Sequence, residues 1–177
     1  MSNGACMRHV LAFVLAISLG VTPALAFDDD GTLACRLIDK SALEAIVGPT
    51  TGAFRSGALN ICAGLCPSVN GSFCSIPVAR TSWSVWLYQP PFLGSDRQWS
   101  TPWSPVGDET VERLDWPGGA AWTLTKPKDG RALLTVRIPG RLHLIVVQES
   151  GISDRTVWLS KARAVARNVI ARFDAVK

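Results

Sequence analysis

The amino-acid sequence predicts an α+β domain of two layers, with an antiparallel sheet of about five strands, a short N-terminal helix and a C-terminal helix packed on one sheet face. Three strand-like segments, at 120–126, 131–138 and 141–148, are joined by short Pro- and Gly-containing turns, which is typical of an antiparallel meander. After residue 154 the apolar residues recur at helical spacing. Cysteines in the N-terminal half predict that the domain is stapled by disulfides.

The first 26 residues have the pattern of a cleavable secretory signal peptide. Arg8 and His9 form a short basic region, residues 10–21 are apolar, and Ala24-Leu25-Ala26 offers small residues for cleavage. A membrane anchor is the alternative, but a spanning helix needs about 20 apolar residues and this segment is shorter. We therefore expect a periplasmic or secreted protein with no stable membrane anchor after cleavage and a single mature domain at 27–177. Met1 and Met7 are both candidate start sites for translation.

The chain has a mild basic excess, with 18 Lys and Arg residues against 14 Asp and Glu residues. A nucleic-acid-binding protein needs its basic residues clustered in a patch, and the sequence contains no such cluster. We therefore exclude nucleic acid as a partner. The excess favours weak attraction to anionic polymers of the cell envelope.

Four cysteines follow the predicted cleavage site: Cys35, Cys62, Cys66 and Cys74. An even number in a small exported domain predicts two disulfides, for which three pairings are possible. We favour Cys35–Cys74 together with Cys62–Cys66. The second pair closes a tight local loop, and the first ties the N-terminal segment to a strand.

The N-terminal half combines a short helix with an irregular segment. Ser41 and Glu44 form a capping box, and Gly48-Pro49 ends the helix. Residues 50–72 are rich in Gly, Ser, Ala and Asn, so we interpret them as an irregular segment that is cross-linked by a disulfide.

The middle of the chain alternates strand and loop patterns. Residues 75–88 predict a strand with bulky side chains on both faces. Residues 89–107 contain four prolines and predict a loop, and a loop of this length is often functional. Residues 109–114 fit either a short strand or a turn.

The chain closes on an amphipathic helix for which Ser153 or Asp154 can serve as the N-cap. Its apolar stripe must cover one face of the sheet. Arg163 and Arg167 lie on the side that we expect to be solvated. The residues of the stripe are Trp158, Ala162, Val165, Val169 and Phe173.

The phrase Cys35-Arg36-Leu37-Ile38, with the helix that follows it, resembles the opening of an uncharacterised group of exported bacterial proteins, many of them actinobacterial lipoproteins. The group has a second cysteine on a strand, here Cys74, then a Gly-Asp-Glu phrase, a strand with a Trp, here Trp122, and a final Ala/Arg-rich helix. Its fold is similar to the photosystem II extrinsic protein P. The resemblance implies an accessory or binding role without catalytic residues. This chain lacks a lipobox and inserts Cys62 and Cys66.

The motif Cys62-Ala63-Gly64-Leu65-Cys66-Pro67 resembles the copper-binding loop of the Sco family of cytochrome oxidase assembly factors. Two thiolates and one imidazole suit Cu(I), and His143 is the histidine that could complete such a site. The alternative function is therefore a periplasmic Cu(I)-handling thiol protein. A structural disulfide competes with it, because no helix pattern follows the motif. Without copper, His143 is a half-exposed strand residue that shares a face with Ile145 and Val147.

The sequence contains few residues in a pattern that is typical of a catalytic site. It contains no G-x-S-x-G elbow. Asp108, Glu109 and Glu112 could form a glycosidase-like acid–base pair, but their spacing also suits a solvated turn. We therefore expect a protein that is not an enzyme and has no cofactor.

Seven tryptophans are distributed along the chain. Trp83, Trp122 and Trp158 fit a core. Trp99 and Trp103 lie in the Pro-rich loop, where they could stack on a sugar or anchor a protein together with Trp86; the alternative is that they fold back onto the core. The leading hypothesis is an exported accessory protein of the cell envelope. It would bind an envelope protein or a small ligand through one sheet face and the loop 89–107.

Overall fold

The computed structural model describes residues 32–59, 70–79, 81–89, 107–126 and 128–176. The predicted signal peptide, Cys62, Cys66, Trp99 and Trp103 lie outside the described residues. The interpretations that concern them therefore stay predictions.

The described residues form a mixed helix and sheet fold with one antiparallel sheet of seven strands in the order β1-β2-β3-β7-β6-β5-β4. Neighbouring strands are antiparallel throughout. The strands are β1 (Arg55–Leu59), β2 (Asn70–Val78), β3 (Thr81–Gln89), β4 (Thr110–Leu114), β5 (Ala120–Lys126), β6 (Arg131–Ile138) and β7 (Leu142–Gln148). The helices are α1 (Leu33–Arg36), α2 (Lys40–Val47) and α3 (Arg155–Ala175).

The expected number of strands, about five, is too low for two reasons. The segment 75–88, predicted as one strand, is divided between β2 and β3, which pair with each other, and the segment 50–72 is not irregular throughout. It contains β1 and the beginning of β2, which pair in register from Arg55 opposite Ser75 to Leu59 opposite Gly71. The β1 sequence, Arg-Ser-Gly-Ala-Leu, has few strong strand formers. A Cβ atom at Gly57 would lie 2.4 Å from the ring of Phe73, so this ring would have to shift for any other residue. Pairing with β2 therefore stabilises β1, and the strand preferences of its own residues do not predict it.

The beginning of α2 also differs from the prediction, because Ser41 and Glu44 form no capping box. Asp39 is the N-cap, and its carboxylate accepts hydrogen bonds from the backbone N–H groups of Ser41 and Ala42 at 2.9 and 3.1 Å. Glu44 instead accepts from the backbone N–H and the hydroxyl of Thr50, at 3.1 and 2.5 Å. Glu44 thereby fixes the chain that leaves the helix.

The main core lies between the helices and one face of the sheet. All five residues of the predicted α3 stripe are buried in it, together with Val85, Leu134 and Val146 from the central strands. Asp154 is the N-cap of α3 and accepts from the N–H groups of Thr156 and Val157 at 2.8 and 3.0 Å. The predicted C-terminal helix and its buried stripe are thus confirmed.

The predicted Cys35–Cys74 disulfide is confirmed and joins α1 to β2. Cys74 is fully buried, and the backbone N–H of Ala34 also donates to the Ser72 hydroxyl at 3.1 Å. The short α1 helix is therefore held to the sheet by a covalent bond and a hydrogen bond. None of the described helices is long and apolar enough to cross a membrane.

Candidate functional site

The sheet face opposite the helices carries a buried polar cluster. Tyr88, His143 and Arg137 lie side by side on β3, β7 and β6, because Tyr88 pairs with His143 and His143 pairs with Arg137. Their exposed fractions are 6%, 1% and 3%. The three polar side chains are therefore almost inaccessible to solvent.

His143 is buried, so the expectation of a half-exposed histidine is wrong. The strand β7 lies in the middle of the sheet, and all seven of its residues are buried. The His143 ring lies 5.6 Å from the ring of Tyr88, measured between centroids. Burial, and then the charge of Arg137, lower the pKa of His143 from 6.5 to about 4. The imidazole is therefore neutral at neutral pH.

Two tryptophans lie on this same face. Trp86 is half-buried and packs against Phe73, with ring centroids 6.4 Å apart. Trp122 is 2% exposed, as a core residue should be, but its register opposite Thr135 places it on the face away from the helices. Of the three predicted contact residues, the structure places Trp86 on a sheet face, whereas Trp99 and Trp103 are outside its described part.

The acidic residues near β4 do not form a catalytic pair. Glu109 binds Lys126 of β5, with Nζ and Oε1 2.6 Å apart, whereas Glu112 pairs with Arg155 of α3. Residues three positions apart in an extended chain point to opposite faces, which explains the separation. Asp108 is exposed.

A cavity of about 200 Å³ lies where the β5–β6 turn meets the loop before α3. We call it the hairpin cavity. It is lined by residues 125–126 and 130–131, by Ile152 and Ser153, and by Arg155. The backbone N–H of Ile152 donates to the carbonyl oxygen of Gly130 at 3.2 Å, and this bond holds the loop against the turn. Two strand ends, a loop and a helix start thus converge on one space.

Three basic residues line the hairpin cavity, and each forms an ion pair with an acidic residue that does not line it. Arg155 has its ion pair on the helix-covered face of the sheet, where it also bonds Thr123, whereas Lys126 and Arg131, opposite each other in the register, have theirs on the other face. Lys126 binds Glu109, Arg131 binds Glu149 with Nε and Oε2 3.2 Å apart, and Arg155 binds Glu112. Hydrogen bonding to Glu109 and then its charge raise the pKa of Lys126 above the usual range. Sequence reasoning missed this site because the three acidic partners lie 17, 18 and 43 positions from their cations.

The part of the chain that the structure describes contains no cluster of three or more His, Cys, Asp or Glu residues that could hold a metal ion. The cysteines of the copper motif are not among those residues. Gly71, near the start of β2, pairs with Tyr88 on β3, and Tyr88 pairs with His143 on β7. His143 therefore lies two strands away from the start of β2, which follows the copper motif in the sequence. At about 4.8 Å per strand, this distance is roughly 10 Å.

No protein-family model matches the sequence, and no curated protein matches it significantly.

Proposed function

We propose that this protein is an exported, non-enzymatic binding protein of the cell envelope that holds a small ligand in the hairpin cavity. The observation that carries the proposal is a space of about 200 Å³ that is lined by the apolar Ile152, by the hydroxyl-bearing Thr125 and Ser153, and by the basic residues Lys126, Arg131 and Arg155. Sites for small molecules are concave and combine a few convergent polar groups with apolar walls.

The location of the imidazole supports binding over hydrolysis. A serine or threonine nucleophile needs a base within hydrogen-bonding reach. Among the described residues, the one imidazole belongs to His143. His143 pairs with Arg137, which lies six residues along β6 from Arg131 at the cavity. At about 3.3 Å per residue, this separation is roughly 20 Å. Thr125 and Ser153 therefore have no imidazole base at the cavity.

The disulfide supports the proposed compartment. Cys35 and Cys74 are joined across 39 positions, and Cys74 is fully buried. Structural disulfides of this kind persist mainly in oxidising compartments. Together with the signal-like segment 1–26, this favours a periplasmic or secreted protein.

The experiment that tests the function is a fragment screen by NMR on the mature domain, residues 27–177. We expect chemical-shift changes that cluster at residues 125–131 and 152–155. A Ser153→Trp variant should abolish them, because the indole would occupy the cavity. Ser160→Trp on the exposed side of α3 is the matched control and should leave them intact. Fragment responses that avoid the cavity, or that survive in Ser153→Trp, would contradict the proposal.

The predicted contact residues Trp86, Trp99 and Trp103 stay part of the proposal as a second surface, for a protein of the envelope. The support is that Trp86 is only half-buried, whereas Tyr88 and His143 on the same face are buried. Alanine at Trp99 and Trp103 should weaken capture of a partner from envelope extracts and leave the melting temperature unchanged. Unchanged capture with a lower melting temperature would mean that the two rings belong to the core.

Copper handling is the second candidate, because the register brings His143 within about two strand spacings of the start of β2, which follows the Cys62–Cys66 motif in the sequence. The imidazole is neutral, as a metal ligand must be. A thiol count on unfolded, unreduced protein separates the candidates. The binding proposal expects no free thiols, since Cys62 pairs with Cys66. Copper handling expects two, with Cu(I) affinity that falls in both Cys62→Ser and His143→Gln.

A further inference from the structure

The sheet face opposite the helices is buried, although none of the described helices packs on it. We call it the distal face, and the residues that define it here are Tyr88, Trp122, Leu124, Thr135, Ile145 and Val147. Trp122 and Val147 are 2% exposed, and Ile145 is 8% exposed. Among the described residues, the hydrophobic cluster around Tyr88, Ile145 and Val147 is built from strand residues alone.

The helices cover the other face of the sheet. The residues that α1, α2 and α3 bury belong to the main core, together with Val85, Leu134 and Val146. Side chains with so little exposure need atoms packed above them. The cover of the distal face therefore comes from another part of the chain.

We propose that residues 90–106 cross the distal face and form a third layer of the fold on it. These residues connect Gln89, the last residue of β3, to the turn before β4. The strands β7, β6 and β5 lie between β3 and β4, so the connection spans four strand spacings, roughly 19 Å. This inference goes beyond the proposed function and does not rest on the hairpin cavity.

The connection also has to travel along the strands. The register places Thr110, the first residue of β4, level with Trp83 of β3 across the intervening strands. Gln89 lies six residues after Trp83, roughly 20 Å at about 3.3 Å per residue. The segment thus leaves one end of the sheet and returns at the other, and its direct path is a diagonal of roughly 28 Å across a face.

A path around the edge of the sheet is also within reach, because an extended chain of this length spans about 60 Å. That path would leave Trp122 and Val147 uncovered, and both are buried. The burial of the distal face therefore favours the diagonal path.

The other segments outside the described residues are in the wrong place to cover the whole distal face. Residues 60–69 leave from β1 and return to β2, which lies four strand spacings, roughly 19 Å, from β5. Ten residues that have to go out and return reach about 19 Å at most. Residues 27–31 lead into α1, which belongs to the main core on the other face.

The composition of residues 90–106 fits the distal face. They contain one Asp and one Arg, so their net charge is zero, and they include the apolar Phe92, Leu93, Trp99, Trp103 and Val106. Burial of apolar surface on both sides of the contact drives such packing.

The hydrogen-bonding groups also match. The indole Nε1 of Trp122 and the hydroxyl of Thr135 are buried and have no hydrogen-bond partner among the described residues. Residues 90–106 include four prolines, each of which has a carbonyl oxygen but no N–H group. The segment therefore offers more backbone acceptors than donors to a face with buried donors.

Docking of residues 90–106 on the sheet leaves part of this segment accessible. In an extended chain, successive side chains point to opposite sides. Such a segment packs one side on the sheet and presents the other side outward. A protein partner can therefore contact the same segment from outside.

The first test is an NMR measurement of contacts in the mature domain, residues 27–177, which lacks the signal-like segment. We expect nuclear Overhauser effects from the Trp122 indole N–H and from the methyl groups of Ile145 and Val147 to residues 90–106. Contacts to residues 60–69 in their place, or contacts between two copies in a mixed-label sample, would overturn the proposal. A Trp122 indole that is open to water, with no contact to residues 90–106, would overturn it as well.

The second test uses His143, the one histidine of the mature domain, as a reporter of the cover. Burial is the main reason that its pKa is lowered from 6.5 to about 4, and its neighbours on the same face are Tyr88 and Arg137. Replacement of residues 90–106 by a Gly/Ser linker of equal length should raise the pKa of His143 towards 6.5, because water then reaches the imidazole.

The matched control replaces residues 63–65 and 67–69 by Gly and Ser and keeps Cys62 and Cys66. The pKa of His143 should stay at about 4 in this variant. An unchanged pKa in the 90–106 replacement, or equal rises in both variants, would contradict the docking of residues 90–106. If the 90–106 replacement does not fold, the contacts measured in the unaltered domain decide.

Discussion

Arg172 of α3 places its Nη1 atom 3.0 Å from Oδ2 of Asp39, while Oδ1 of the same carboxylate caps α2. One aspartate therefore begins one helix and binds the other. Hydrogen bonding from the Ser41 side chain, then from the Ala42 backbone, with a smaller contribution from the charge of Arg172, lowers the pKa of Asp39 to about 2. The carboxylate therefore links α2 to α3 at the surface, next to the core that the two helices share.

Asp39→Asn should lower the melting temperature less than Asp39→Ala, because asparagine keeps the capping oxygen and loses only the charge. The folded carboxylate has a lowered pKa, so its stabilisation is present above the ordinary value of 3.8 and is lost as the pH falls towards 2. Thermal melts between pH 2 and pH 5 measure this. Asp115→Asn, at an exposed position, is the control, and equal melting temperatures for Asn and Ala at position 39 would contradict the capping role.

His143 should make the protein less stable as the pH falls from 6.5 to 4. Its pKa is about 4 in the folded state and 6.5 in the unfolded chain, so the unfolded chain binds more protons in that range. The loss reaches about 3 kcal/mol near pH 4 and levels off below it. Urea unfolding of the wild type and of His143→Gln at several pH values isolates the effect. The difference between the two should change with pH, and a constant difference would disprove this origin.

Removing the Cys35–Cys74 bond by a double alanine substitution should lower the free energy of unfolding by about 4 kcal/mol. The estimate follows from the chain entropy of a loop with a sequence separation of 39. Urea unfolding of the oxidised proteins measures it. The double alanine variant at Cys62 and Cys66 is the comparison, and its loss should be smaller because the loop is much shorter. Equal losses would show that loop length does not set the effect.

Gly119→Ala should be much more disruptive than Gly118→Ala, although the two glycines are neighbours. A Cβ atom at Gly119 would lie 2.1 Å from the carbonyl oxygen of Arg137, so the backbone of β5 or β6 must move. At Gly118, where φ is +71°, no atom lies within 4 Å, and only the left-handed backbone costs about 1–2 kcal/mol. Thermal melts compare the variants, and similar losses would mean that the strands shift freely.

The sequence alone determined the features whose signals are local. The spacing of Trp158, Ala162 and Val165 predicted the buried side of α3, and Asp154 stood at the position that caps it. Two turns between three apolar segments predicted the β5–β6–β7 meander. Three pairings of the cysteines were possible from the sequence, and the structure contains the Cys35–Cys74 bond that we favoured.

The tertiary structure decided what depends on distant partners. β1 exists because β2 pairs with it, and His143 is buried because β7 lies in the middle of the sheet. Arg155, which lines the hairpin cavity, forms its ion pair with Glu112 of β4, 43 residues earlier in the chain. Local periodicity reports which side of an element is apolar. It does not report which strands become neighbours, and the neighbours set burial, charge pairing and the shape of a cavity.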